Sequence, residues 1–176
     1  HIMQKSPCAI LVVTATVEGH ASKVFEAMGW GALDAVDTPA LGLSGDPSGA
    51  APLLAKIAML GRLIGQPRRV AKTFSVPPAP EVAAGALPLV AIGASTGGPG
   101  ALAQIIGGLP RNLHAVVAVV QHVDEQFAPG LASWLAGQTG HDVAAIRPLD
   151  RPVAGRIHLA STNDHLVLTR EVDYRY

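Results

Sequence analysis

The sequence predicts an α/β chain made of two partial, doubly wound parallel-sheet units joined by a linker. Three observations predict it. Apolar, β-rich runs alternate with segments of helical period, the pattern of parallel strands with right-handed crossovers. Between residues 66 and 87 the composition shifts to proline with Ala, Val and Ser between. A glycine-rich turn then joins a strand to a helix at "VAIGASTGGPG", Val90 to Gly100.

The elements follow in order. "AILVVT" (Ala9–Thr14) is a continuous apolar run and reads as a buried parallel strand. In the next segment Val24, Phe25 and Met28 have helical spacing, and Gly29 and Gly31 end the helix. "LDAV" (Leu33–Val36) is a short strand. "APLLAKIAMLGRLIG" is a helix with Leu53, Leu54, Ile57, Leu60 and Ile64 on one apolar stripe, expected to stay uncovered in a partial domain. The linker holds Pro67, Pro77, Pro78 and Pro80, and opens on a basic cluster of Arg68, Arg69 and Lys72. Beyond it "PLVAIGAS" is a strand, "GGPGALAQIIGGL" a helix and "HAVVAVVQH" a strand. "FAPGLASWLAGQTG" is a helix with Pro129 in its first turn and a glycine stop. "HDVAAIRP", "RIHLAS" and "HLVLTR" read as strands, the last two separated by the turn signal "TND".

Composition narrows the function. The 176 residues are 49% hydrophobic and only 15% charged, with net charge zero. That balance excludes a nucleic-acid or membrane-surface role driven by bulk charge. No run of ~18 apolar residues suggests membrane insertion. Cys8 is the sole cysteine, so no intrachain disulfide forms and a reducing cytoplasm is expected. It heads an apolar run and is expected to be buried and inert.

Gly93-Ala94-Ser95-Thr96-Gly97 satisfies G-x-S-x-G, a turn that lifts a nucleophilic hydroxyl out of a strand-to-helix junction. Gly97 and Gly98 let the helix N-terminus approach a reacting group, where free N–H groups stabilise an oxyanion. The same glycines, with Gly93 and Gly100, also fit a dinucleotide loop that seats a pyrophosphate, and such a turn can serve packing alone. His122 favours the first reading. It ends the next strand, and neighbouring parallel strands lie ~4.8 Å apart with reactive groups at their carboxyl ends. An imidazole there can take the proton of Ser95. A dinucleotide site wants an acidic residue at that place, and the chain has Gln121-His122. Of the other histidines, His20 and His141 read as exposed, His158 as solvent-facing on an alternating strand, and His165 as a turn residue near the same sheet end. His114 precedes a strand. There is no metal-ligand motif and no cofactor is expected.

These residues resemble the CheB family, the response-regulator protein-glutamate methylesterases of bacterial chemoreceptor systems. "VAIGASTGG", "QH" with Pro129-Gly130 a few residues on, and "STNDH" carry the resemblance. The N-terminal part resembles the back of a receiver domain: "HIMQKSP" is similar to the end of its third helix, "AILVVTAT" to its fourth strand with Thr14 as the switch threonine, and "GALDAVDTP" to its fifth. "VFEAMGWGALDAVDTPALG" resembles the Wsp-type branch, which adjusts receptor methylation in a surface-sensing pathway.

The resemblance implies the C-terminal half of a receiver-like (flavodoxin-like) domain over residues 1–65, a linker over 66–87, and the N-terminal half of a doubly wound methylesterase domain over 88–176. It implies Ser95 as nucleophile, His122 as general base, and Thr96, Gly97 and Gly98 as oxyanion and site-lining residues. The implied substrate is a glutamate γ-methyl ester, or a glutamine, on the cytoplasmic helices of a methyl-accepting receptor. A histidine kinase is the implied partner of the intact receiver domain. The family's third catalytic residue is an aspartate in a "GMGxDG" motif that none of Asp124, Asp150, Asp164 and Asp173 matches. Thr38 stands where the receiver family has a lysine, and Ala35 where it has the switch aromatic. The chain therefore reads as a central fragment, expected to be nearly inactive alone and, with open sheet edges, to self-associate. Two other functions stay in view: a dinucleotide- or phosphate-binding module, and a non-catalytic, receiver-linked interaction protein.

Overall fold

The computed structural model describes residues 2–40, 47–65 and 87–176. All but the last residue of the expected linker, its basic cluster included, lies outside the described residues.

The first part follows the expected strand–helix–strand–helix order. After a one-turn helix α1 (Ile2–Lys5), β1 (Leu11–Thr14) pairs in parallel with β2 (Asp34–Asp37), Leu11 opposite Asp34 and Thr14 opposite Asp37. Helix α2 (Ala21–Gly29) makes the crossover. Its apolar residues Val24 and Phe25 are buried, and Met28 packs beside them. Gly31, at φ 105°, makes the left-handed turn into β2, a conformation that costs a side-chain-bearing residue dearly.

Helix α3 (Ala51–Gly65) forms where expected, and most of its apolar stripe is uncovered. Of the expected stripe only Leu60 is buried and Leu53 half-buried, while Leu54, Ile57 and Ile64 are exposed. The inward face is Leu53, Lys56, Met59 and Leu60. The helix is apolar nearly all round, so spacing alone does not fix its rotation; the Lys56–Asp34 ion pair at 2.6 Å marks the side turned to β2.

The second part is a four-stranded parallel sheet of β3 (Leu89–Ala94), β4 (Val116–Gln121), β5 (Val143–Ala145) and β6 (Ile157–Leu159), in the order β3-β4-β6-β5. Helices α4 (Gly98–Gly107) and α5 (Ala128–Thr139) pack on it. Leu102, Ile106, Leu131 and Leu135 close over Val117, Val119, Ile157 and Leu159, all at most 1% exposed. Each such side chain contributes roughly 1.5–3 kcal/mol by leaving water. Pro99 and Pro129 stand in the first turns of α4 and α5, where a missing N–H is harmless, and Gly140 at φ 66° stops α5. Phe25 joins this core from α2, with its ring centroid 6.1 Å from that of Trp134.

Several expectations are corrected. β6 inserts between β4 and β5, which pair with both its edges, and all three of its residues are buried. His158 is consequently 3% exposed rather than solvent-facing, with its ring centroid 5.2 Å from that of Tyr174. His141 is buried between the ends of α4 and α5: its N–H donates to Thr139 Oγ1 and its Nε2 lies 3.3 Å from Leu109 O. Cys8 is exposed, because β1 begins only at Leu11. The run "HLVLTR" does not extend the parallel sheet. Its β7 (Val167–Leu168) forms an antiparallel hairpin with β8 (Tyr174–Arg175), which the sequence did not announce.

Candidate active site

The register of β3 and β4 sets the site. Six residue pairs run in parallel from Leu89 opposite Val116 to Ala94 opposite Gln121. The residues that follow are Ser95 and His122. The His122 N–H donates to Ala94 O at 2.9 Å, which carries the pairing past the last strand residues. Both side chains are exposed, and both line one cavity of about 580 Å³.

The local backbone explains why small residues follow Ser95. Gly97 sits at φ 75° as the N-cap of α4, and its N–H donates to Leu33 O at 2.9 Å. The Gly98 N–H donates to Ser95 O at 2.6 Å. These two N–H groups, expected to face an oxyanion, are thus directed to carbonyls of the chain itself. Thr96 lines the cavity, and its Oγ1 donates to Met59 Sδ at 3.6 Å.

The cavity's other wall comes from the first part of the chain: β2 from Asp34 to Asp37, with Lys56 and Met59 of α3. Lys56 Nζ donates to Asp34 Oδ1 at 2.6 Å and to Ala35 O at 2.7 Å, so a cation and a carboxylate are tied together there. Asp37 accepts the Val17 N–H through Oδ1 at 2.7 Å. Thr14 ends β1 opposite Asp37 but does not line the cavity.

The rim past His122 is built by side-chain caps. Asp124 Oδ1 accepts the Gln126 N–H at 3.2 Å and starts a 3-10 turn, Glu125–Phe127. Asn163 Oδ1 accepts the Glu125 N–H at 3.2 Å and ties the segment after β6 to that turn. Asn163, not His165, reaches the cavity from "STNDH". Sequence reasoning missed Asn163 and also Gln121; the only signal for either was its place in a recognised motif. A hydroxyl and an imidazole at adjacent parallel strand ends, open to a cavity, suit nucleophilic acyl transfer.

Comparison with known proteins bears on the same residues. Residues 90–176 match the family model of the CheB methylesterase. Over those residues the chain belongs to the CheB methylesterase family. Over its length it is also similar to two curated bacterial proteins. "Protein-glutamate methylesterase/protein-glutamine glutaminase 4" of Burkholderia thailandensis is 51% identical over 176 residues, 99% of this chain and 51% of that protein. "Protein-glutamate methylesterase/protein-glutamine glutaminase 3" of Pseudomonas aeruginosa is 51% identical over 170 residues, 96% of this chain and 50% of that protein. The chain therefore spans about half the length of the curated relatives it matches. Among solved structures, the catalytic domain of the Thermotoga maritima CheB methylesterase is 32% identical, with a TM-score of 0.47, over 51% of this chain and 48% of that one. No helix among the described residues is long and apolar enough to cross a membrane.

Proposed function

We propose that the chain carries the nucleophile and base of a protein-glutamate methylesterase that also deamidates glutamine. One observation carries the reading: β3 and β4 pair up to Ala94 and Gln121, so Ser95 and His122 follow at adjacent strand ends. The names of the relatives supply the substrate class.

In this mechanism Ser95 Oγ attacks the γ-carbonyl carbon of the ester while His122 takes the hydroxyl proton. The C–O bond to the methoxy group breaks, His122 returns the proton, and methanol leaves a glutamyl-serine ester. Water, deprotonated by His122, then attacks that ester and frees the glutamate. With glutamine the first leaving group is ammonia. The Thr96 N–H is the oxyanion donor of this turn, because those of Gly97 and Gly98 are directed to Leu33 O and Ser95 O. Residues 1–65 act as a receiver-like half whose β2 and α3 wall the cavity, with Thr14 as its switch residue. A kinase acting on that receiver domain and the helices of a cytoplasmic receptor are the proposed partners.

Methanol release from methylated receptor by the full-length protein tests the reading. Ser95→Ala is expected to lower it by about 10³-fold or more with unchanged folding, since the side chain is exposed. Release at the wild-type rate would reject Ser95 as nucleophile.

A further inference from the structure

We propose that Gln121 is a positioning residue, clamping the nucleophile turn and the base-bearing strand end to one another through a single amide group. The proposal rests on the Ser95–His122 reading above.

Gln121 is the last residue of β4 and is only 8% exposed. Its Nε2 donates to Ser95 O at 3.0 Å and to His122 O at 3.3 Å. One amide nitrogen thus reaches the main chain of both reacting residues. The chemistry fixes which end of the amide points there. Both neighbours are carbonyl oxygens, so the reversed amide would set three acceptors together with no hydrogen between them. Ser95 O receives a second donor, the Gly98 N–H at 2.6 Å. With both its lone pairs engaged, the Ser95 carbonyl holds the peptide plane after the nucleophile, and with it the direction from which Oγ leaves the turn.

The other end of the amide shows where the benefit lies. Gln121 Oε1 is buried without a hydrogen-bond partner. A buried acceptor left unpaired costs about 1–3 kcal/mol. A leucine or methionine of similar volume would fill the same space without that cost. Packing alone gives no reason for an amide here, and the two bonds from Nε2 do. Geometry of this kind matters most for the reaction: a misplacement of ~1 Å can cost ~10²-fold in rate. Gln121 acts through Ser95 and His122 and touches no substrate atom in this scheme.

The test uses the full-length protein and a fluorophosphonate probe, which reports the reactivity of Ser95 without receptor. Gln121→Leu removes the donor and the orphaned acceptor together. Gln121→Met keeps the length of the side chain and removes the donor. Both variants are expected to label roughly 10–100-fold more slowly. Gln121→Leu should keep or raise the melting temperature, and its KM for methylated receptor should stay at the wild-type value while kcat falls. Labelling of Gln121→Leu at the wild-type rate overturns the proposal. So does a loss of rate that merely follows a fall in melting temperature. If the wild-type protein does not label at all, the Ser95–His122 reading fails, and this inference with it; normal wild-type labelling with unaffected variants rejects the inference alone.

Discussion

Gly98 and Gln121 are packed so closely that no side chain fits between them: a Cβ on Gly98 would lie 1.8 Å from Gln121 Oε1 and 2.8 Å from its Cδ. Gly98 opens α4 and Gln121 closes β4, so the helix N-terminus is pressed onto the strand end beside Ser95. Glycine at this position answers a close approach and not a backbone angle, unlike Gly97, whose φ of 75° favours glycine on conformational grounds.

The contact predicts a coupled pair. Gly98→Ala must push the Gln121 amide aside and break its bonds to Ser95 O and His122 O. It is expected to destabilise the protein by about 1–3 kcal/mol. In a Gln121→Ala background only the approach to Ala94 Cβ at 3.0 Å remains, and the cost of Gly98→Ala should shrink to less than half. Urea unfolding of the four proteins in this cycle measures the coupling directly. Additive losses would mean that the helix shifts as a body and that the two residues do not share one space.

His158 predicts a pH dependence of stability. Burial holds its pKa below the ordinary histidine value, and its Nε2 accepts the Val153 N–H at 3.0 Å, which a protonated ring cannot do. Asp150 and Asp142 pull the other way, and Arg156 adds to the lowering. The unfolded chain therefore binds a proton at a pH where the folded chain does not. The stabilisation is full above the unfolded value of about 6.5 and is lost progressively as the pH falls below it. His158→Gln keeps an acceptor for Val153 and removes the titration. Unfolding free energies at pH 7.5 and 5.5 should differ less for this variant than for the wild type. Equal differences would show that other groups govern the acid limb.

The ion pair on the cavity wall predicts a salt effect. Asp34 is mostly covered, and Lys56 closes on it at 2.6 Å with about a third of its own side chain exposed. Lys56→Met keeps the stem and leaves the carboxylate with the Ala35 N–H at 2.7 Å. The expected loss is about 1 kcal/mol at low salt, shrinking as added salt screens the exposed end. Melts at low and high salt check both parts; a variant as stable as the wild type at low salt would show that the pair contributes nothing.

What the sequence revealed and what it hid follow the same physics. Strands β1 to β4 and helices α2, α4 and α5 were legible because their periods, Pro129 near the start of α5 and its glycine stop are local signals. The placement of Ser95 and His122 at neighbouring strand ends was legible because a strand-to-helix turn and the next strand end are one pairing apart. The burial of His158 was hidden because it depends on which strands flank β6, a long-range fact, and on a hairpin from the last residues. The contacts of Gln121 and Asn163 were hidden because they join residues far apart in sequence, 26 residues for Gln121 to Ser95 and 38 for Glu125 to Asn163.

Helix α3 gives the sharpest contrast between pattern and packing. Leu53, Leu54, Ile57, Leu60 and Ile64 satisfy a helical stripe, yet Leu60 is 5% exposed while Leu54, Ile57 and Ile64 are 57%, 51% and 64% exposed. Alanine substitutions should divide along burial and not along the stripe. Leu60→Ala removes buried methyl groups and leaves a void under α3 and is expected to cost about 2–5 kcal/mol. Leu54→Ala, Ile57→Ala and Ile64→Ala should each fall within about 0.5 kcal/mol of the wild type, since alanine also gains in helix propensity. Denaturant midpoints of the four single variants decide the matter. A loss at Ile57 or Ile64 as large as that at Leu60 would mean that this face of α3 is covered in solution, and that the helix is rotated or capped by another surface.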